Sequence, residues 1–494
     1  MTDIGGSVIG GLASVSIIFL WLITFHKRFF VSLWKTSKVT GYGVYTNFGE
    51  ALTSHFWFLF KGLFVQPDRA ALEKEVSSKF VQLLGETRSE KTVITHSCRS
   101  IFYYVIKTLL DDAKERTGES RIKIALPSVH FGSFYRLLRG MEKSIKCKID
   151  FYEVDLKEED WTLDDRDIDE AEFAKCDLVL CQHLFGVPFG QDKLFELGRK
   201  HNIPILEDCV QSGSLFSNYK GNPLSDMIMY SGGLDKTPQS FGGGFGYFRD
   251  TPNGNKLYKK CSDFHNKLPL DTWKGRFVGC FNQLIHVMIA RNTFGFNSLI
   301  GLLAYVWVSD RGDYVKWYAI SLKIRKAKAI TPFQHAESGF LRKPTTYQLQ
   351  SMLYAFTKDY ETIARTELSN RDYLLKNIPS EYHLKLFPWW TPKVLKLHKD
   401  NLGISEFSWV YAPKGEQRMD LCQFLNDHFF ICMINTTWEY HEFTKKPVGK
   451  DINNNLVYLP NIGELKKPEI LRLSKTLTKY AKSLEIGVEK VKKA

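Results

Sequence analysis

The stretch DLVLCQHLFGVPFGQDKLFELGRKHNIPILED, residues 177–208, decides the fold. LVLC and IPIL are short and almost wholly apolar, as strands buried on both faces must be. Between them, FGQDKLFELGRKHN carries apolar residues at helical spacing. Strand, helix and strand in that order form a βαβ unit with parallel strands. Outward in both directions the pattern repeats. KTVITH (91–96) reads as a strand, and SCRSIFYYVIKTLLDDAKER (97–116) follows with helical periodicity. KIALPSV (123–129), KIDFYEV (148–154), MIMYS (227–231) and GFGYF (244–248) are further short apolar strands. The expected fold class is α/β, a mostly parallel sheet between helices over residues 89–260, with a smaller C-terminal α+β domain over 344–494. A long amphipathic helix is expected from Gln348 to Asn377, with Arg365 and Arg371 on its polar face.

The whole chain has 494 residues, 44% hydrophobic and 24% charged, with a net charge of +13. That balance builds a large core and excludes disordered, collagen-like and coiled-coil proteins. Nine cysteines, an odd number and without a C-x-x-C pair, argue against a disulfide framework and a zinc site. The positive charge is spread thinly, without an Arg-rich block, so nucleic acid is not an expected partner.

The N-terminus reads differently. Ile4 to Phe25 carries no charge and is followed at once by His26, Lys27 and Arg28. About 20 apolar residues cross a bilayer as a helix, so residues 1–28 are expected to be a transmembrane anchor. The positive flank places the body on the cytosolic or matrix side. Residues 29–88 read as an aromatic-rich juxtamembrane segment. Residues 261–343, with the apolar run Phe277–Ser309, read as an insertion facing a membrane surface or a partner. The topology and basic pI put the mitochondrial inner membrane ahead of the endoplasmic reticulum.

In open α/β sheets ligands bind beyond the carboxyl ends of the strands. Asp208 ends IPILED, and Gln211 follows three residues on. Ser231 ends MIMYS, with Lys236 five residues further, before Gly242, Gly243 and Gly244. Ser97, Cys98 and Arg99 open a helix directly after a strand, where free N–H groups attract phosphate. His130 and Phe131 follow KIALPSV. An amine, a carboxylate, a hydroxyl, an anion-binding helix end and an aromatic face suit pyridoxal phosphate (PLP).

The strings HLFGVPFGQDKLFELGRKHNIPILEDCVQSGS, YKGNPL and SGGLDKTPQSFGGG resemble the DegT/DnrJ/EryC1/StrS aminotransferases. The resemblance runs from about Thr92 to Phe248 and returns from Gln348 to Leu477, where YLPNIGELKKPEILRLSKTL is similar to the family's closing helix. It implies a fold-type I aminotransferase scaffold. By that resemblance Lys236 is the Schiff-base lysine and Asp208 the partner of the pyridine nitrogen. Gln211 contacts the phenolic oxygen, Ser231 the phosphate, and Phe131 stacks on the ring. The resemblance also implies a homodimer, a keto-sugar acceptor, free or nucleotide-linked, and glutamate or glutamine as donor. Ser97-Cys98-Arg99 departs from the family's S-G-T phosphate loop, and Cys98 puts a side chain where backbone approach wants glycine. The expectation is a membrane-anchored, PLP-dependent aminotransferase in contact with lipid. Its rival is a catalytically silent subunit of a membrane complex on the same scaffold.

Overall fold

The computed structural model describes residues 68–183, 190–211, 218–233, 236–240, 242–270, 341–400, 409–412, 420–421, 424–425, 433–434, 444–459 and 462–493. Seven strands form the main sheet: β1 (Thr92–Thr95), β2 (Arg121–Pro127), β3 (Lys148–Val154), β4 (Leu178–Gln182), β5 (Ile205–Asp208), β6 (Met227–Ser231) and β7 (Gly244–Phe248). Their order is β1-β7-β6-β5-β4-β2-β3. From β3 across to β6 every pairing is parallel, whereas β7 runs antiparallel to both β6 and β1. The sheet is therefore mixed, with β7 alone reversed. A parallel crossover usually needs a helix to bring the chain back. Between β6 and β7 the chain turns round on the glycine-rich loop that carries Lys236.

Helices cover both faces. The helices α1 (Arg69–Leu84), α2 (Cys98–Thr117), α3 (Gly132–Ser144), α4 (Asp192–Lys200) and α5 (Pro252–Asn266) belong to the sheet's own half of the molecule. The sequence reading did not anticipate α1. Asp68 caps it by accepting from the backbone N–H groups of Ala70 and Ala71, and Gly85 ends it in the left-handed region at φ +73°. Its Val76, Phe80, Val81 and Leu84 pack against Ile94, Ile228, Phe245 and Met352. Phe80 stacks on Phe245 at 5.1 Å between ring centroids. Burying that phenyl ring alone contributes roughly 2–3 kcal/mol.

The expected long helix at 348–377 is two helices, α6 (Thr346–Ala355) and α7 (Tyr360–Lys376). Thr345 and Gln348 form a capping box that starts α6, and Asp359 caps α7 by accepting from Thr362 N at 3.0 Å. A second N-cap within the run breaks it. Arg365 lies on the exposed face and pairs with Glu361, but Arg371 is buried. Further on, β8 (Trp409–Tyr411), β10 (Leu456–Tyr458) and β9 (Met433–Ile434) form a small antiparallel sheet in the order β8-β10-β9. It packs with α8 (Pro447–Asn455) and α9 (Lys467–Lys493) into one apolar cluster shared with β2, β4 and β5. Trp161 stacks on Trp389 at 5.1 Å inside that cluster. The α+β character expected of the C-terminal region is present.

The membrane expectations are corrected. Among the described residues no helix is long and apolar enough to cross a membrane. The stretches that motivated a transmembrane anchor and a lipid-facing insertion, Ile4–Phe25 and Phe277–Ser309, lie outside the described residues. Part of the segment expected to be juxtamembrane, residues 69–84, is α1, and its apolar side is spent on the protein's own core. Single-pass topology, lipid contact, membership of a membrane complex and a mitochondrial or endoplasmic reticulum address therefore have no support and are set aside.

Candidate active site

The candidate site residues gather at the carboxyl ends of β4, β5 and β6. Asp208 closes β5 and is 3% exposed, beside Gln182, which closes β4 in direct register with it and is 2% exposed. The Asp208 carboxylate accepts from Val210 N at 3.0 Å through Oδ1 and from Gln182 Nε2 at 2.5 Å through Oδ2. Burial pushes its pKa up. The two hydrogen bonds and the nearby His183 and Lys236 oppose that rise.

Lys236 is buried in the β6–β7 loop, and its charge reaches both Asp208 and the Cys98 thiol. The loop is laced tightly. Gly232 O accepts from Ser240 N, Ser240 Oγ and Gly242 N. Lys236 N donates to Gly233 O at 3.1 Å, and Gln239 N donates to the Tyr360 hydroxyl at 2.7 Å. Gly243 holds φ +113°, and a Cβ there would meet the Met352 methyl at 2.0 Å. A Cβ on Gly244 would meet Cys98 N at 2.5 Å. The glycine run is therefore what lets the loop lie against the start of α2.

Ser97 caps α2, its Oγ accepting from Arg99 N at 3.3 Å. Cys98 does not obstruct the loop as its side chain suggested. It turns into the apolar cluster with Ile101 and Phe102, and burial holds the thiol protonated. Arg99 is exposed at the same helix end. Ser231, half-buried, accepts from Gly233 N at 3.3 Å. Gln211 is buried just beyond Asp208. Phe131 is half-buried at the N-terminus of α3, edge-on to Phe134 at 5.7 Å, where two apolar clusters meet. His130 is fully buried, and burial pushes its pKa well below the usual value, so it is neutral.

The structure thus brings Asp208, Lys236 and Cys98 into one electrostatic neighbourhood. Along the same edge stand Ser97 and Arg99 at the start of α2, Phe131 at the start of α3, Gln211 after β5 and Ser231 at the end of β6. Strand alternation also makes visible what the sequence reading missed. Glu207 points to the other face of β5 from Asp208. It pairs with His183 Nε2 at 2.7 Å and accepts from the Tyr219 hydroxyl at 2.5 Å and from Asn222 N at 2.8 Å. Cys209 lies close to the same pair. The alternation of IPILED was the available signal for this second network.

The residue set fits PLP. A buried carboxylate whose charge is under-compensated needs a cation, and a protonated pyridine nitrogen is one. Lys236 offers the amine, and the start of α2 offers N–H groups to a phosphate.

Comparison with known proteins bears on the fold. The profile of the DegT/DnrJ/EryC1/StrS aminotransferase family matches residues 144–241. GDP-perosamine synthase from Escherichia coli O157:H7 is 24% identical over 284 residues, 56% of this chain and 72% of the synthase. An aminotransferase from Psychrobacter cryohalolentis superposes with a TM-score of 0.55 at 12% identity, covering 88% of this chain and 97% of that one. A GDP-4-keto-6-deoxymannose-3-dehydratase with bound GDP-perosamine gives 0.54 at 15%, covering 86% and 97%. The fold is the fold-type I aminotransferase scaffold.

Proposed function

We propose that this protein is a PLP-dependent enzyme of the aminotransferase kind that transfers an amino group to a keto sugar. The observation that carries the reading is the burial of Asp208, closing β5, and of Lys236, in the loop after the adjoining β6, with the Lys236 charge acting on Asp208. When bound, PLP supplies an electron sink. Lys236 provides the amine that holds the cofactor covalently, and once freed it moves a proton at the substrate carbon. Asp208 keeps a proton on the ring nitrogen. Phe131 covers one ring face and excludes water. Ser97, Ser231 and the N–H groups opening α2 take the phosphate, with Arg99 as a second cation there. The sugar class is supported by the similarity to GDP-perosamine synthase.

Incubation of the full-length chain with PLP, then borohydride, should leave a pyridoxyl group on Lys236. Lys236→Ala should abolish that adduct while unfolding at the wild-type temperature. Glutamate plus a nucleotide-linked keto sugar should then yield an amino sugar. A chain that stays colourless with PLP overturns the reading. A yellow chain that removes a hydroxyl without transferring nitrogen would reassign it as a dehydratase.

A further inference from the structure

We infer that Gln182 is a positioning residue of this cleft: its side-chain amide, clamped between Phe131 N–H and Asp208 Oδ2, keeps the carboxylate ionised and fixes its separation from the aromatic wall. The inference rests on the proposed pairing of Asp208 with the pyridine nitrogen.

Chemistry assigns the amide's orientation. Phe131 N can only donate, and it lies 2.6 Å from Gln182 Oε1. The oxygen must face it, so Nε2 must face Asp208. An amide nitrogen has no acceptor to offer a carboxylic acid, so the contact favours the carboxylate over its protonated form. Phe131 is the N-cap of α3, so its N–H stands at the positive end of that helix. The positive end of α3 thereby polarises the amide and strengthens the donor that reaches Asp208. Gln191 Nε2 donates to Gln182 O at 2.7 Å and pins the backbone beneath.

The groups acting on Asp208 come from several elements. Gln182 comes from β4 and His183 from just past it, Val210 N from the exit of β5, Lys236 from the β6–β7 loop, and the Cys98 thiol from the start of α2. Gln182 donates to the carboxylate from a side chain and Val210 from the backbone.

The test uses full-length wild type, Gln182→Leu and Gln182→Glu with isotope-labelled aspartate. In the apoproteins the Asp208 titration midpoint should move up in both variants, because one loses the donor and the other sets a second carboxylate against the first. PLP affinity of Gln182→Leu should fall about tenfold at the acid end of the range and recover towards wild type as pH rises. If Gln182→Leu does not fold, the pair Gln182→Glu with Asp208→Asn decides. The introduced glutamate still accepts from Phe131 N and now faces a donor, so stability should return to wild type while PLP binding stays lost. An unmoved Asp208 midpoint in the folded variants, or no recovery of stability in the pair, overturns the inference. Absence of a Lys236 adduct in wild type would instead overturn the proposed function, and the apoprotein titration would still judge Gln182.

Discussion

Asp155 and Asp208 lie at the same edge of the sheet, one just past β3 and the other closing β5, and both are buried. Asp155 is fully engaged by protein. Its Oδ1 accepts from Ser128 Oγ at 2.7 Å and Gly449 N at 3.0 Å, and its Oδ2 from Val448 N at 3.1 Å. It therefore caps α8 from across the molecule. Asp208 accepts from Val210 N and Gln182 Nε2, and burial still drives its pKa up. On the proposed function, the two divide one residue type between holding a fold and serving a ligand. The carboxylate whose acceptor capacity is filled is structural. Under the proposed function, the one whose pKa burial drives up meets a further cation when the cofactor binds.

The largest expected effect comes from removing the structural member. Asp155→Ala leaves a hydroxyl and two backbone N–H groups without their acceptor and should cost about 4 kcal/mol in urea unfolding. PLP bound per folded molecule should not change. Loss of cofactor binding at unchanged stability would erase the distinction.

Asp208→Asn should do the opposite, weakening PLP binding about a hundredfold, roughly 2.7 kcal/mol, by calorimetry. The protein should stay folded. Unaltered affinity would return Asp208 to the structural class.

A pH series sharpens the contrast further. A carboxyl whose folded pKa is raised stabilises the protein below its unfolded pKa of about 3.9. That contribution is lost as pH rises through the folded value. Apoprotein wild type should therefore lose stability relative to Asp208→Asn on going from acid to neutral pH, and bound PLP should abolish the trend. A difference that is flat with pH in the apoprotein would show that Asp208 is already compensated there.

The smallest effect marks the floor. Arg365 pairs with Glu361 in solvent on α7, and Arg365→Ala should change the unfolding free energy by no more than about 0.5 kcal/mol. A larger loss would mean that exposed charge carries weight here as well.

The main-sheet strands were legible from the amino-acid order because each is a mostly apolar run of four to seven residues followed by polar or turn residues. Asp208, Ser231 and Lys236 could be placed for the same reason, since a strand's end locates the residues after it. Gln182 was passed over although it ends a strand in the same way, because its role depends on Phe131 and Asp208, 51 and 26 residues away. The helix α1 was hidden in a segment read by its aromatic content, and its partners lie on β1, β6, β7 and α6. The run at 348–377 carries helical spacing throughout, and the cap at Asp359 that divides it was not weighed against that periodicity. Arg371 was put on the polar face by periodicity alone, whereas tertiary packing buries it.

The cap that Asp155 provides has a consequence in time. Its partners on α8 lie 293 and 294 residues further along the chain. On a ribosome moving at 5–20 residues per second, Asp155 waits about 15–60 s before those N–H groups exist. Through that interval Asp155 has the Ser128 hydroxyl, made 27 residues earlier, but not the two N–H groups of α8, so this carboxylate is among the last in the sheet's half to complete its hydrogen bonds.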